Sequence, residues 1–193
     1  MIPYDELIKI TNEHQPDEAY ELVSPNEDPW CNLDSIIDFV RRWNKRVPIG
    51  KNKNKIKAVA LNLREEFNAF KNCFIEDFDF TQKNAELIKA IFDTLSETVL
   101  KFTGTTKLMH GINPNLFVMW DKGICIHYGV YPNSAGYIIF MKLMQEEIRG
   151  LLKKYSKKEI IKNTNRTLPK LIDEYNWKNF RTSKSVSKNS LLI

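Results

Sequence analysis

The chain has 193 residues, 42% hydrophobic and 27% charged, the size and apolar content of one ordinary folded domain. That excludes a wholly disordered chain, and no apolar stretch approaches the length of a bilayer span. The three cysteines, Cys31, Cys73 and Cys125, are widely spaced and form no C-x-x-C pair. They point to a reduced, cytoplasmic protein without a disulfide framework or a cysteine-rich zinc site. The net charge of +5 conceals two opposite regions. Residues 1–40 hold ten acids and one base, whereas the remainder holds 28 bases and 14 acids.

The start, Met1 to Ile10, carries Asp5 and Glu6 and lacks the basic run of a signal peptide. Residues 1–32 read as an acidic, partly irregular segment interrupted by Pro16, Pro25 and Pro29, with a turn of helix at Asp17 to Leu22. A helical domain then spans 33–180. Ser35 to Arg46 places Ile36, Ile37, Phe39, Val40 and Trp43 on one face and Arg41, Arg42 and Lys45 opposite. Pro48 and Gly50 end it. Arg41, Arg42, Lys45, Arg46, Lys51, Lys53, Lys55 and Lys57 follow one another without an intervening acid. Such a run suits either a polyanion-binding face or a basic body covered by the acidic segment.

From Lys55 to Asn72 the apolar residues recur every three or four positions, which predicts one helix. Thr81 is the expected N-cap of a long helix reaching Phe102, and Asn133 or Ser134 that of another over Ala135 to Tyr155. Shorter helices are expected over Lys157 to Asn163 and Pro169 to Asn176, with Pro169 in a first turn. The Ser- and Lys-rich stretch 181–193 reads as a mobile basic tail. The whole is one all-α domain, in which only a minor hairpin near Phe74 to Phe80 would be compatible.

Six of the seven glycines fall between Gly104 and Gly150, so that is where unusual local structure is expected. A helix ending near Phe102, a Thr103-Gly104-Thr105 turn and a second helix from Thr105 have the form of a helix-hairpin-helix element. Its amides, with Thr105, Thr106 and Lys107, would hold a DNA phosphate at a helix N-terminus. The competing reading is an ordinary αα-turn closed by a glycine C-cap.

The string from Thr106 through Lys107, His110, Asn113-Pro114, Phe117 and Met119-Trp120-Asp121 to Ile124 resembles a block found in uncharacterised prokaryotic helical proteins. More distantly, residues 85–130 resemble the core of the helix-hairpin-helix DNA glycosylases. That resemblance implies a duplex DNA partner, held by Gly104, Thr105, Thr106 and Lys107 with Arg41, Arg42, Lys45 and Arg46. It also implies removal of a damaged base by N-glycosidic cleavage, with Asp121 as the catalytic carboxylate. His110 would be its acid/base partner, and Trp120 and Phe117 the walls of a base pocket. The block keeps one glycine where the family hairpin has two, and Lys107 stands closer to Asp121 than the Schiff-base lysine of bifunctional members does to their aspartate.

Each of these residues also has a structural reading. Asp121 suits an N-cap of a helix over Lys122 to Tyr128. Trp120 and Phe117 suit the core, and His110 a buried, hydrogen-bonded site. His110, Cys125 and His127 have no recognised metal-ligand spacing, and no cofactor is expected. Two alternatives to the glycosylase remain: a non-catalytic nucleic-acid-binding protein, and an interaction module whose acidic N-terminus meets a basic partner.

Overall fold

A computed structural model describes residues 2–13, 18–23, 27–164 and 166–181. Ten α-helices and three short 3-10 turns make up its regular structure, and no strand occurs among the described residues. The helices are α1 (Tyr4–Glu13), α2 (Leu33–Trp43), α3 (Lys53–Asn62), α4 (Arg64–Asn68) and α5 (Gln82–Ser96). They continue with α6 (Lys101–Ile112), α7 (Lys122–His127), α8 (Ser134–Leu152), α9 (Lys157–Thr164) and α10 (Leu168–Phe180). No described helix is long and apolar enough to cross a membrane.

Side-chain caps set several of the helix starts. The Thr81 hydroxyl accepts the Asn84 amide (3.2 Å), and the Asn133 side chain accepts that of Gly136 (2.8 Å). Thr167 caps α10 by accepting the Lys170 amide at 3.3 Å, with Pro169 in the first turn as expected. Three boundaries differ. The acidic N-terminal segment contains a complete helix, α1, which buries Leu7, Ile10 and Thr11 and packs on α9 and α10. The expected helix over Lys55 to Asn72 breaks at Leu63, where ψ rises to 11°, so that α3 and α4 turn around Ile56, Ala60 and Phe67. Phe74 to Phe80 forms a 3-10 turn, Ile75–Asp77, rather than a hairpin.

The fourth difference bears on function. Helix α5 ends at Ser96, not Phe102, and the chain reverses at Lys101 (φ 50°), so that α6 runs unbroken through Gly104. There is no Thr-Gly-Thr turn. Gly104 sits in close packing instead, where a Cβ would lie 3.1 Å from the Leu100 side chain and require it to give by a few tenths of an ångström.

The core lies where α5, α6 and α8 meet. A ring of aromatic side chains, Phe92, Trp120, Tyr137 and Phe140, fills it with neighbouring centroids 5.1–6.5 Å apart. Through this core passes the non-helical connection between α6 and α7. Its residues Leu116 to Trp120 are all at most 1% exposed, so their backbone groups need partners within the protein. Two of the partners, His110 and Thr106, come from the block singled out in the sequence, and a third, Tyr137, from α8. His110 Nδ1 donates to the Phe117 carbonyl (2.7 Å), and the Tyr137 hydroxyl donates to that of Val118 (2.9 Å). Thr106 Oγ1 accepts from the Trp120 amide at 3.4 Å. Thr106 and His110 stand four residues apart on one helical face, which explains their spacing in the block. The connection ends on Asp121, whose carboxylate caps α7 by accepting the Ile124 amide at 3.0 Å.

Candidate functional site

The C-terminal end of α2, the middle of α6, the N-cap of α7 and one face of α10 surround a cavity of about 660 Å³. A cavity of this size is within the usual range of small-ligand sites. Asp121 borders it, half-buried, so the side chain that caps α7 also faces the cavity. Trp43 and Trp177 supply its aromatic walls, and Trp120 meets it only by an edge, since that ring is 1% exposed.

Two lysines point their charges inward. Lys107 Nζ donates to the Trp43 carbonyl (3.1 Å) and to Asn44 Oδ1 (3.3 Å). Burial lowers its pKa to about 8, against the opposing attraction of Asp173 and Asp121. Lys170 is fully buried, with its ammonium 3.9 Å from the Trp43 ring centroid, 3.3 Å from Glu174 and 3.6 Å from Asp173. Glu174 is also reached by Arg166 at 3.3 Å. Burial of Lys170, Asp173 and Glu174 strengthens the electrostatic interactions among them, and the cavity holds both signs of charge.

The expected site residues divide accordingly. Asp121, Lys107 and Trp120 come together at the cavity. Gly104, Thr105 and Thr106 do not form an anion cradle. They are buried inside α6, and the Gly104 amide already donates to the Leu100 carbonyl at 3.0 Å. Phe117 is a core residue, edge-on to Phe67 and Phe70.

His110 lies away from the cavity, so the expected pairing with Asp121 is replaced by a structural one. Its Nδ1–H is held by the Phe117 carbonyl, which leaves Nε2 to accept from the Tyr20 hydroxyl at 3.2 Å. Burial, assisted by the charge of Lys170, lowers its pKa to about 3 despite the Phe117 carbonyl, so the imidazole stays neutral. The unfolded chain protonates this histidine near pH 6.5, the folded protein does not. The stabilisation it provides is therefore full above pH 6.5 and lost on acidification towards pH 3. In chemical denaturation, the stability advantage of the wild type over His110→Gln should shrink by up to about 1.4 kcal/mol per pH unit below 6.5. A constant difference between pH 7 and pH 5 would show that the ring is protonated in the fold.

The basic run is partly neutralised from within. Arg41 pairs with Asp38 (3.2 Å), Lys53 with Asp34 and Asp38 (3.4 and 3.2 Å), and Lys57 with Asp34 (2.6 Å). Among the described residues no ion pair engages Arg42, Lys45 or Arg46, and all three are exposed or half-buried. They are neighbours in sequence of Trp43 and Asn44, which enter the cavity, but they do not line it; the cations that do are Lys107 and Lys170. The C-terminal tail beyond Arg181 lies outside the described residues.

Sequence reasoning missed the contribution of α10. Lys170, Asp173, Glu174 and Trp177 have the spacing i, i+3, i+4, i+7, the stripe of a single helical face. A polar stripe reads as solvent-facing, yet this one closes the cavity, because the opposite side of α10 is packed by α1, α7 and α8. A tryptophan within the charged stripe was the one available signal.

The chain matches no family model, no curated protein and no solved structure.

Proposed function

We propose that this protein binds nucleic acid and admits one extruded base into the cavity, where Asp121 assists cleavage of the N-glycosidic bond. The observation that carries the reading is the position of Asp121, whose carboxylate borders an aromatic-walled cavity that Lys107 and Lys170 also line. A flipped base is held against such walls by stacking. Lys170 covers one face of Trp43 (3.9 Å) and Arg181 one face of Trp177 (4.0 Å), so a base would use the faces those cations leave. Cleavage builds positive charge on the sugar, and a carboxylate at that point lowers its energy. Phosphate binding falls to the end of α2 rather than to a glycine hairpin, and it positions a duplex without reading its sequence.

Two measurements test the proposal. Duplex affinity should fall with salt along a log–log slope of about −0.9 per neutralised phosphate. Replacing Arg42, Lys45 and Arg46 together with alanine should make that slope shallower by about 0.9 for each phosphate left without its cation. Arg41, already paired with Asp38, should contribute less. An unchanged slope would place the binding surface elsewhere, and an absence of binding would reject the nucleic-acid reading. The second measurement is release of free base from duplexes carrying deaminated, oxidised or alkylated bases. Binding without release would favour the non-catalytic alternative, for which the capping bond of Asp121 to Ile124 is the supporting observation.

A further inference from the structure

Asp173 stands out among the buried charged groups, because base cleavage assisted by Asp121 alone gives it no part. Its side chain is 7% exposed, and the surface it keeps borders the same cavity as Asp121. Among the described residues no hydrogen bond engages its carboxyl oxygens, and its ion pair to Lys170 is long, at 3.6 Å. Lys170 is shared with Glu174 at 3.3 Å, so its charge only partly compensates Asp173. The groups acting on Asp173 are Lys170 and Glu174 on α10, Lys107 from α6 and Asp121 from the α7 N-cap. A carboxyl in such a place is hard to ionise, because burial removes the water that would solvate its charge.

We infer that Asp173 is the acid that protonates the departing base, a role that rests on the base-releasing function proposed for the cavity. The site then holds two carboxylic groups in different surroundings. One is at a half-open helix cap, the other enclosed on α10, and such a division lets one act as an anion and the other as an acid. As the bond from the sugar C1′ to the base nitrogen breaks, its electron pair stays with the base. The Asp173 O–H gives its proton to a basic nitrogen or oxygen of that base. Water adds its oxygen to C1′ and gives a proton to the Asp121 carboxylate. Exchange of one proton with bulk water returns Asp121 to the anion and Asp173 to the acid, so one water is consumed per base released. Lys170 is a positioning residue, its ammonium facing the Asp173 carboxylate left after transfer. Burial raises the Asp173 pKa to about 7 against the pull of Lys170 and Lys107. The acid is therefore in place below that pH and lost above it.

The test compares two duplexes, one carrying hypoxanthine and one carrying N7-methylguanine. The first leaving group needs a proton, whereas the second already carries the positive charge that a proton would bring. For the full-length protein, the rate of hypoxanthine release should fall above about pH 7, and that of N7-methylguanine should show no such limb. In Asp173→Asn the ratio of hypoxanthine to N7-methylguanine release should drop about 100-fold, the usual scale of general acid catalysis, and the alkaline limb should vanish. The wild-type comparison requires no variant, so it stands even if Asp173→Asn fails to fold. The inference is overturned if the wild type shows the same pH profile on both duplexes or releases only the methylated base, or if the variant slows both reactions equally. Release of neither base by the wild type overturns this inference, whereas the glycosidic reading itself falls only if no deaminated, oxidised or alkylated base is released.

Discussion

Trp120→Ala should cost about 3–5 kcal/mol of folding stability, the range for removing a large aromatic side chain from a core. The ring is 1% exposed and sits among Phe92, Phe102, Tyr137 and Phe140, with centroids 5.1–6.5 Å away. Its Nε1–H donates to the Phe102 carbonyl at 3.3 Å, so the alanine variant also leaves a carbonyl short of a donor. Trp120→Phe keeps most of the volume and loses that bond, and should cost about 0.5–3 kcal/mol less than the alanine change. Urea denaturation with an unchanged m-value would read these losses directly. A loss below about 1 kcal/mol for Trp120→Ala would mean that the indole is a wall of the cavity more than a member of the core.

Asp121→Asn should lower base release by about 100-fold or more while leaving stability within about 0.5 kcal/mol of wild type. Asparagine accepts an amide at a helix N-terminus about as well as aspartate, so the bond to Ile124 (3.0 Å in the wild type) is retained. What disappears is the negative charge available to the developing sugar cation. Asp121→Ala should show the same loss of release together with about 0.5–2 kcal/mol of destabilisation, because the cap goes as well. Equal and large destabilisation by both substitutions, measured by thermal melting, would make the charge a requirement of the fold and not of the reaction.

The helical class and most helix starts are legible in the sequence because they depend on local chemistry. Thr81 and Asn133 each cap the helix that follows them and Pro169 stands in the first turn of α10, and apolar residues recur at helical spacing through α2, α5 and α8. The Gly104 turn is not legible. A glycine between threonines suits a reversal and a close helix packing equally well, and its closeness to Leu100 and Asn44 follows from where the turn falls and from how α2 docks. Asp121 could be found from the chain, and the structure places it at a cavity wall. Its neighbours on α10 could not, since nothing local distinguishes a buried Lys170–Glu174 pair from the many exposed pairs at i, i+4. His110 was legible as a residue with a purpose. Its partner, the Phe117 carbonyl, depends on a chain reversal that periodicity does not describe.

The buried connection from Leu116 to Trp120 gives Asp121 a foundation unlike that of a loop residue. The backbone on which it stands is tied to α6 by Thr106 and His110 and to α8 by Tyr137. Under the proposed chemistry, a carboxylate on so fixed a backbone, held also by the Ile124 amide, would spend little reorganisation energy as charge builds in front of it. Such anchoring also makes the site sensitive to distant damage. A change at Tyr137, on the far side of the connection, should be felt at Asp121 through the Val118 carbonyl it holds, and in a catalytic site displacements of about 1 Å are enough to cost 100-fold in rate. The position of Asp121 is therefore set from within the core, by Thr106, His110 and Tyr137, none of which lines the cavity.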